Sequence, residues 1–250
     1  MNTFCKATLA VAVLSSNAAF ANDCEHLPTF ASLQGMLRSV VPPAGSPNGG
    51  LGFPMWLTLV DGSGRVCAVT TSLAGGDVTA DIWLGSRIIS AQKANTANSF
   101  STGALSLSTA NLYSAVQPGG SLFGLQESNP VDATAAYDGL AATFGTRWDP
   151  IVGKRIGGVN VFGGGLTLYQ AGKKVGAIGV SGDTSCTDHV VAYKVRALMG
   201  MNVVPGGLDK MLQDITPNPS GGAGISASGF GHPTCLNNPT AANDGGSIVH

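Results

Sequence analysis

The residues most able to do chemistry lie close together in the chain: Gly179-Val180-Ser181-Gly182-Asp183, then Asp188 and His189. An apolar run that ends in Ser-Gly-Asp and turns into a helix leaves backbone N–H groups pointing out of the turn. Together with the positive end of the helix dipole they favour an anionic group such as a carboxylate. The N–H groups around Gly182 and Asp183 are the expected cradle. Lys93 could supply a countercharge, or carry its ammonium out to solvent along its own stem. With Asp188 and His189 beside it, the same turn would suit an enzyme acting on a small organic acid. The glycines have a second use, which is to permit a tight turn and close strand–helix packing.

Serine hydrolysis is weighed on the same residues. Ser181 sits at a strand-to-helix turn, but a nucleophile elbow wants Gly-x-Ser-x-Gly, and position 183 is aspartate. Asp188 and His189 are adjacent and point about 100° apart on a helix, so they cannot pair as triad members do. His232 or His250 would reach the turn only through a glycine-rich tail.

Charged residues make up 11% of the 250, with a net charge of −1 and no basic block, so no positive face is offered to nucleic acid. So few charges suit a chain that buries surface between copies of itself, and a homo-oligomer is expected. Residues 1–6 form a short positive start, residues 7–14 an apolar run, and Ala19-Phe20-Ala21 a small-residue cleavage point. That is the pattern of a secretory signal peptide over residues 1–21, too short to span a membrane. A periplasmic or secreted protein follows. Removing Cys5 leaves Cys24, Cys67, Cys186 and Cys235, an even number that favours two disulfides in an oxidising compartment. Three connectivities are open. Cys186–Cys235 with Cys24–Cys67 is preferred, because the tail after Pro217 has almost no apolar periodicity and needs a tether. Zinc is the rival use, since Cys186 and His189 lie one helical turn apart.

The elements that must hold the cluster follow from punctuation and period. A helix is expected over 28–41, ended by Pro42-Pro43, and a β-hairpin over 55–71 turning at Asp61-Gly62-Ser63-Gly64. A helix capped by Asp81 should run over 81–100, with Ile82, Ile89, Lys93, Thr96 and Phe100 near one face. A shorter helix is expected within 107–116, then a long irregular insert at about 117–158. A second hairpin spans 166–180, and a helix over 184–199 turns Val191, Val195 and Leu198 inward. The order α, β, β, α, β, β, α implies an α/β (α+β) fold with an antiparallel sheet and packed helices. Residues 22–200 read as one domain and 201–250 as a Gly/Pro/Asn-rich tail packed on it.

Three spaced blocks carry a resemblance. Gly163-Gly164-Gly165-Leu166-Thr167-Leu168-Tyr169 leads into Val175-Gly176-Ala177-Ile178-Gly179-Val180-Ser181-Gly182-Asp183 and then Asp188 and Ala192; the turn at residues 60–64 and Ala91-Gln92-Lys93-Ala94-Asn95-Thr96-Ala97 complete the pattern. The chain resembles the GlcG/HbpS-like haem-binding family, which includes the carboxy-terminal domain of PduO, over most of residues 55–198. The resemblance implies a profilin-like fold with a five-stranded antiparallel sheet, assembly into dimers or larger oligomers, and haem or a related tetrapyrrole as the ligand. The matched blocks put Lys93, Thr96, Gly164, Gly165, Ser181, Gly182, Asp183 and Asp188 at the expected binding site, and His189, which flanks the matched Asp188 on the helix beside the glycine turn, is the best-placed axial ligand to a haem iron. The insert, the tail, Cys186 and His189 depart from the usual small domain. Axial donors of the right type also include His26, His232, Met36, Met55 and Tyr169. Trp56, Trp83 and Trp148 could line a flat cleft or pack in the core. No CxxCH is present, which excludes covalent c-type haem.

Overall fold

The computed structural model describes residues 24–43, 47–206 and 209–250. The signal-peptide pattern at residues 1–21 lies outside these residues. No helix among the described residues is long and apolar enough to cross a membrane.

Four strands form the main sheet: β1 (Trp56–Asp61), β2 (Val66–Thr71), β3 (Gly165–Gln170) and β4 (Lys173–Ser181). Their order is β2-β1-β4-β3, antiparallel throughout, with Trp56 opposite both Thr71 and Ser181. Two hairpins thus meet through β1 and β4. Alternation along the strands sorts the core into two layers. Leu57, Leu59, Leu166, Leu168, Ile178 and Val180 face one way, against Leu33 and Leu37 of α1 (Phe30–Val40) and Val191 and Val195 of α4 (Ser185–Leu198). Trp56, Val60 and Ala177 face the other way, against Ile88, Ala91, Ala94 and Ala97 of α2 (Gly85–Ser99).

The second layer explains much of the glycine. Both partners there are made of small residues, Gly165, Thr167, Ala177 and Gly179 on the sheet and alanines on α2. A Cβ on Gly179 would fall on the carbonyl oxygen of Ser90 in α2, and one on Gly165 would meet the carbonyl of Lys93. Helix and sheet backbones therefore approach to a distance that only glycine allows. Ser90 Oγ hydrogen-bonds Thr58 Oγ1 at 2.7 Å, and Thr167 Oγ1 donates to the carbonyl of Ala97 at 2.8 Å, so these three hydroxyls of the seam are paired.

Among the described residues the main sheet has four strands and not the expected five, and loops cover its edges. Along β2, Val66 N–H donates to the carbonyl of Lys154 and Gly153 N–H to the carbonyl of Val66; Gly153, at φ +85°, then turns the chain away after two bonds. Along β3, Tyr169 N–H donates to the carbonyl of Met201.

Three helical expectations are also corrected. Asp81 does not cap α2, which starts at Gly85; its carboxylate accepts from Asp77 N–H at 2.7 Å and closes a preceding turn. Residues 107–116 hold two short 3₁₀ turns, Thr109–Leu112 and Ser114–Val116, rather than one helix. Leu198, at the end of α4, is exposed. Within the insert, α3 (Ala133–Tyr137) is followed by Asp149, which grips Arg87 of α2 at 2.9 Å through Nε; both side chains are buried. The tail returns across the molecule in two-residue pairs: β5 (Met211–Leu212) with β8 (Ile248–Val249), and β6 (Ile215–Thr216) with β7 (Ile225–Ser226). Cys24–Cys67 and Cys186–Cys235 are bonded, the preferred one of the three connectivities.

Candidate functional site

At the end of β4 the chain turns through Gly182, whose missing Cβ leaves room for the carbonyl of Pro54. It enters α4 with Thr184 as N-cap, its Oγ1 accepting from Thr187 N–H. The turn does contain an anion cradle, and the protein fills it with its own side chain. The Asp183 carboxylate accepts from the N–H groups of Leu51 (2.8 Å), Gly52 (2.8 Å), Phe53 (3.1 Å) and Thr184 (2.5 Å). Asp183 N–H in turn donates to Asp188 Oδ1 at 3.0 Å. Of the N–H groups expected to receive a ligand carboxylate, that of Asp183 is thus committed internally.

Lys93 is likewise committed. Its ammonium, fully buried, donates to Asp188 Oδ2 at 2.7 Å and to the carbonyl of Val180 at 2.9 Å. Burial pushes the Asp188 carboxyl up to about 6 and lowers Lys93, while each partner opposes the other's shift. The pair ties α2 to α4 through the strand end, and it leaves no cation to face a small organic acid.

His189 is buried between the domain and the tail. Its Nε2 lies 3.1 Å from the carbonyl of Ser247, which can only accept, so Nε2 carries the proton and Nδ1 receives the hydroxyl of Ser108 at 3.2 Å. Burial first of all drives its pKa down to about 3. Thr96 Oγ1 accepts from Asn160 N–H and donates to the carbonyl of Gln92, holding the end of the insert against α2. Gly164, at φ +114°, leaves space for the carbonyl of Val180.

A cleft of about 230 Å³ opens in front of the strand end. Trp83, Ile89 and Phe162 make its apolar wall, and Ser86, Ser181, Asp183, Ser185 and Asp188 its polar side. Ser181, Asp183 and Asp188 are therefore brought together as expected of neighbours, whereas Lys93 lies behind them and Thr96, Gly164, Gly165 and His189 do not line the opening. Trp83 is 52% exposed and its ring contacts that of Phe53, centroids 4.9 Å apart; both residues also line a second groove of about 210 Å³. Trp56 is core, its Nε1–H donating to the carbonyl of Trp83, and Trp148 is exposed on the insert.

The family model for the haem-degrading HbpS-like proteins matches residues 50–197, more than half of the chain and every residue that lines this cleft. The chain belongs to the HbpS-like family. Among solved structures, the HbpS-like domain is similar to the PduOC:haem complex, at 22% identity, 71% coverage of this chain and 98% of that one, with a TM-score of 0.47. It is also similar to Klebsiella pneumoniae protein ORFY, at 22% identity, 69% and 90% coverage, with a TM-score of 0.45. No curated protein matches.

Outside the HbpS-like span lie Cys24 and the tail, including His232 and Cys235. The tail delivers His232 to Ser185, whose Oγ stands 2.7 Å from Nε2. Neither Ser185 nor this encounter was visible in the sequence, since 47 residues separate the two. Cys186, Cys235 and His232 also bring their ligand atoms within 4.8 Å of one another, but the sulfurs are bonded together and offer no thiolate to zinc.

Proposed function

We propose that this HbpS-like protein is exported and binds haem or a related tetrapyrrole against the Trp83–Ile89–Phe162 wall, in uptake, storage or sensing. The observation that carries this reading is the half-exposed Trp83, held beside Phe53 on a cleft that falls wholly inside the family span. A flat apolar macrocycle gains by covering such a surface, about 2.5 kcal/mol for each 100 Å² of apolar area removed from water. The cleft is smaller than the roughly 300–1,000 Å³ of sites that enclose their ligand. One face of the macrocycle would be covered here, and in the homo-oligomer we propose a second copy of the chain would cover the other. Two disulfides and the signal-peptide pattern support export.

The residues present fit the macrocycle but not its iron. No histidine, cysteine, methionine or tyrosine lines the cleft, and His189 has both ring nitrogens engaged, by Ser108 and by Ser247. No chemistry at iron is assigned to this wall.

Haemin titration followed by absorbance tests the reading. A shift of the Soret band is expected with the intact protein, at least ten-fold weaker binding with Trp83→Ala, and an unchanged spectrum with His189→Ala. Equal affinity in Trp83→Ala would overturn the placement of the ligand.

A further inference from the structure

We propose that Ser185 and His232 form a nucleophile–base pair for acyl transfer, acting on esters with a short, uncharged acyl chain. His232 Nδ1 lies 2.7 Å from the carbonyl oxygen of Pro233, which only accepts, so Nδ1 carries the proton and Nε2 presents its lone pair. Ser185 Oγ stands 2.7 Å from Nε2 and also receives the N–H of Gly163 at 2.6 Å. With Gly163 donating, the hydroxyl proton has one direction left, towards Nε2. This is the hydroxyl–imidazole contact of serine acyl transfer, with the Pro233 carbonyl in the orienting role that a carboxylate takes elsewhere. The pair stands without haem, but its acyl chain would lie on the wall given above to the macrocycle, so ester and haem would exclude each other from the cleft.

Position supports reactivity. Ser185 is the first residue of α4, a 14-residue helix whose positive end favours the developing alkoxide. Its side chain is part-buried on the cleft wall, whereas His232 behind it is 2% exposed and shielded from water. Burial holds His232 well below its usual value, at about 4, which leaves Nε2 unprotonated across the neutral range but makes it a weak base, so the imidazolium formed in the step relies on the Pro233 carbonyl at Nδ1. The apolar wall of Trp83, Ile89 and Phe162 and the volume of about 230 Å³ suit a short acyl chain. The carboxylates of Asp183 and Asp188 on the other side disfavour an anionic one.

The step balances within these groups. Ser185 Oγ attacks the ester carbonyl carbon while its proton passes to Nε2. Collapse of the tetrahedral adduct breaks the carbon–oxygen bond of the leaving alcohol, which takes the proton from Nε2. Water then attacks the acyl-serine, gives one proton to Nε2, and releases the carboxylic acid as the proton returns to Oγ.

The test uses the intact exported protein, a fluorophosphonate probe and p-nitrophenyl butyrate. Peptide mass spectrometry of the folded wild type is expected to place one phosphonyl adduct on Ser185. Ser185→Ala and His232→Gln, each confirmed folded by circular dichroism, should lose the adduct and at least a hundred-fold in ester turnover. An unlabelled wild type, or an adduct on a residue other than Ser185, would overturn the proposal without reference to any variant, and so would unchanged turnover in Ser185→Ala.

Discussion

The sheet with α2 and the tail from residue 201 onwards hold themselves together by opposite means. In the sheet region, small residues let two backbones touch, and the hydroxyls of Thr58, Ser90 and Thr167 at the seam are paired. The tail has two-residue strand pairs, and its apolar packing is one small cluster of Met211 and Ile248 on Ala110, Cys186 and Val190, with Met201 reaching the main core. It is fastened by the Cys186–Cys235 bond, by Arg196 to Asp209, and by His189 and His232. The first region is defined by what it cannot accommodate, and the second by a handful of replaceable attachments. The cleft lies where the two meet: the sheet region supplies its walls, and the tail supplies the imidazole behind Ser185.

This difference can be broken most severely at Gly179. Gly179→Ala should cost more than about 4 kcal/mol, because neither the strand nor the carbonyl of Ser90 can withdraw; loss of soluble, folded protein on expression is the expected readout. Asp149→Ala should follow, at about 3–5 kcal/mol by urea denaturation, since it strands the buried Arg87 guanidinium. The third measurement is melting temperature against pH. Above about pH 6.5 His189 and His232 are neutral in both folded and unfolded chains and cost nothing. As pH falls, the unfolded chain takes protons that the folded chain refuses down to about 3 and about 4, so stability declines. Asp188, raised to about 6, acts in the opposite sense over part of that range. With two histidines against one carboxyl, a net loss of about 3–4 kcal/mol is expected between pH 7 and pH 4. Because both histidines pin the tail, it should become protease-sensitive first. Replacing Cys186 and Cys235 by alanine should cost about 2–4 kcal/mol and open the tail to limited proteolysis while the sheet fragment survives. The smallest effect is expected at Gly221, where φ is +81° and nothing surrounds the missing Cβ. Gly221→Ala should cost about 1 kcal/mol, as backbone strain alone.

The contrast also marks how far the sequence could be read. Both hairpins, α1, α4 and the element order follow from local period and turn chemistry, and those segments pack through regular faces. The cluster at residues 181–188 was visible because its members are neighbours in the chain. Its wiring was not: Asp183 reaches residues 51–53, and Lys93 turns inward to Asp188 rather than outward. The amphipathic pattern shows which face of α2 is buried but not whether a carboxylate waits there. The tail is where reading stopped. Its glycines and prolines carry no period, so nothing local announced that Ser247 would meet His189 or that His232 would meet Ser185.

The central claim, that a tetrapyrrole lies on the Trp83 wall at the meeting of these two regions, is tested most directly by a crystal structure of the protein grown with haemin. The account predicts macrocycle density against Trp83, Ile89 and Phe162, with His189 still bonded to Ser108 and Ser247. Density at another surface, or an iron bound to His189 with those two bonds broken, would contradict it.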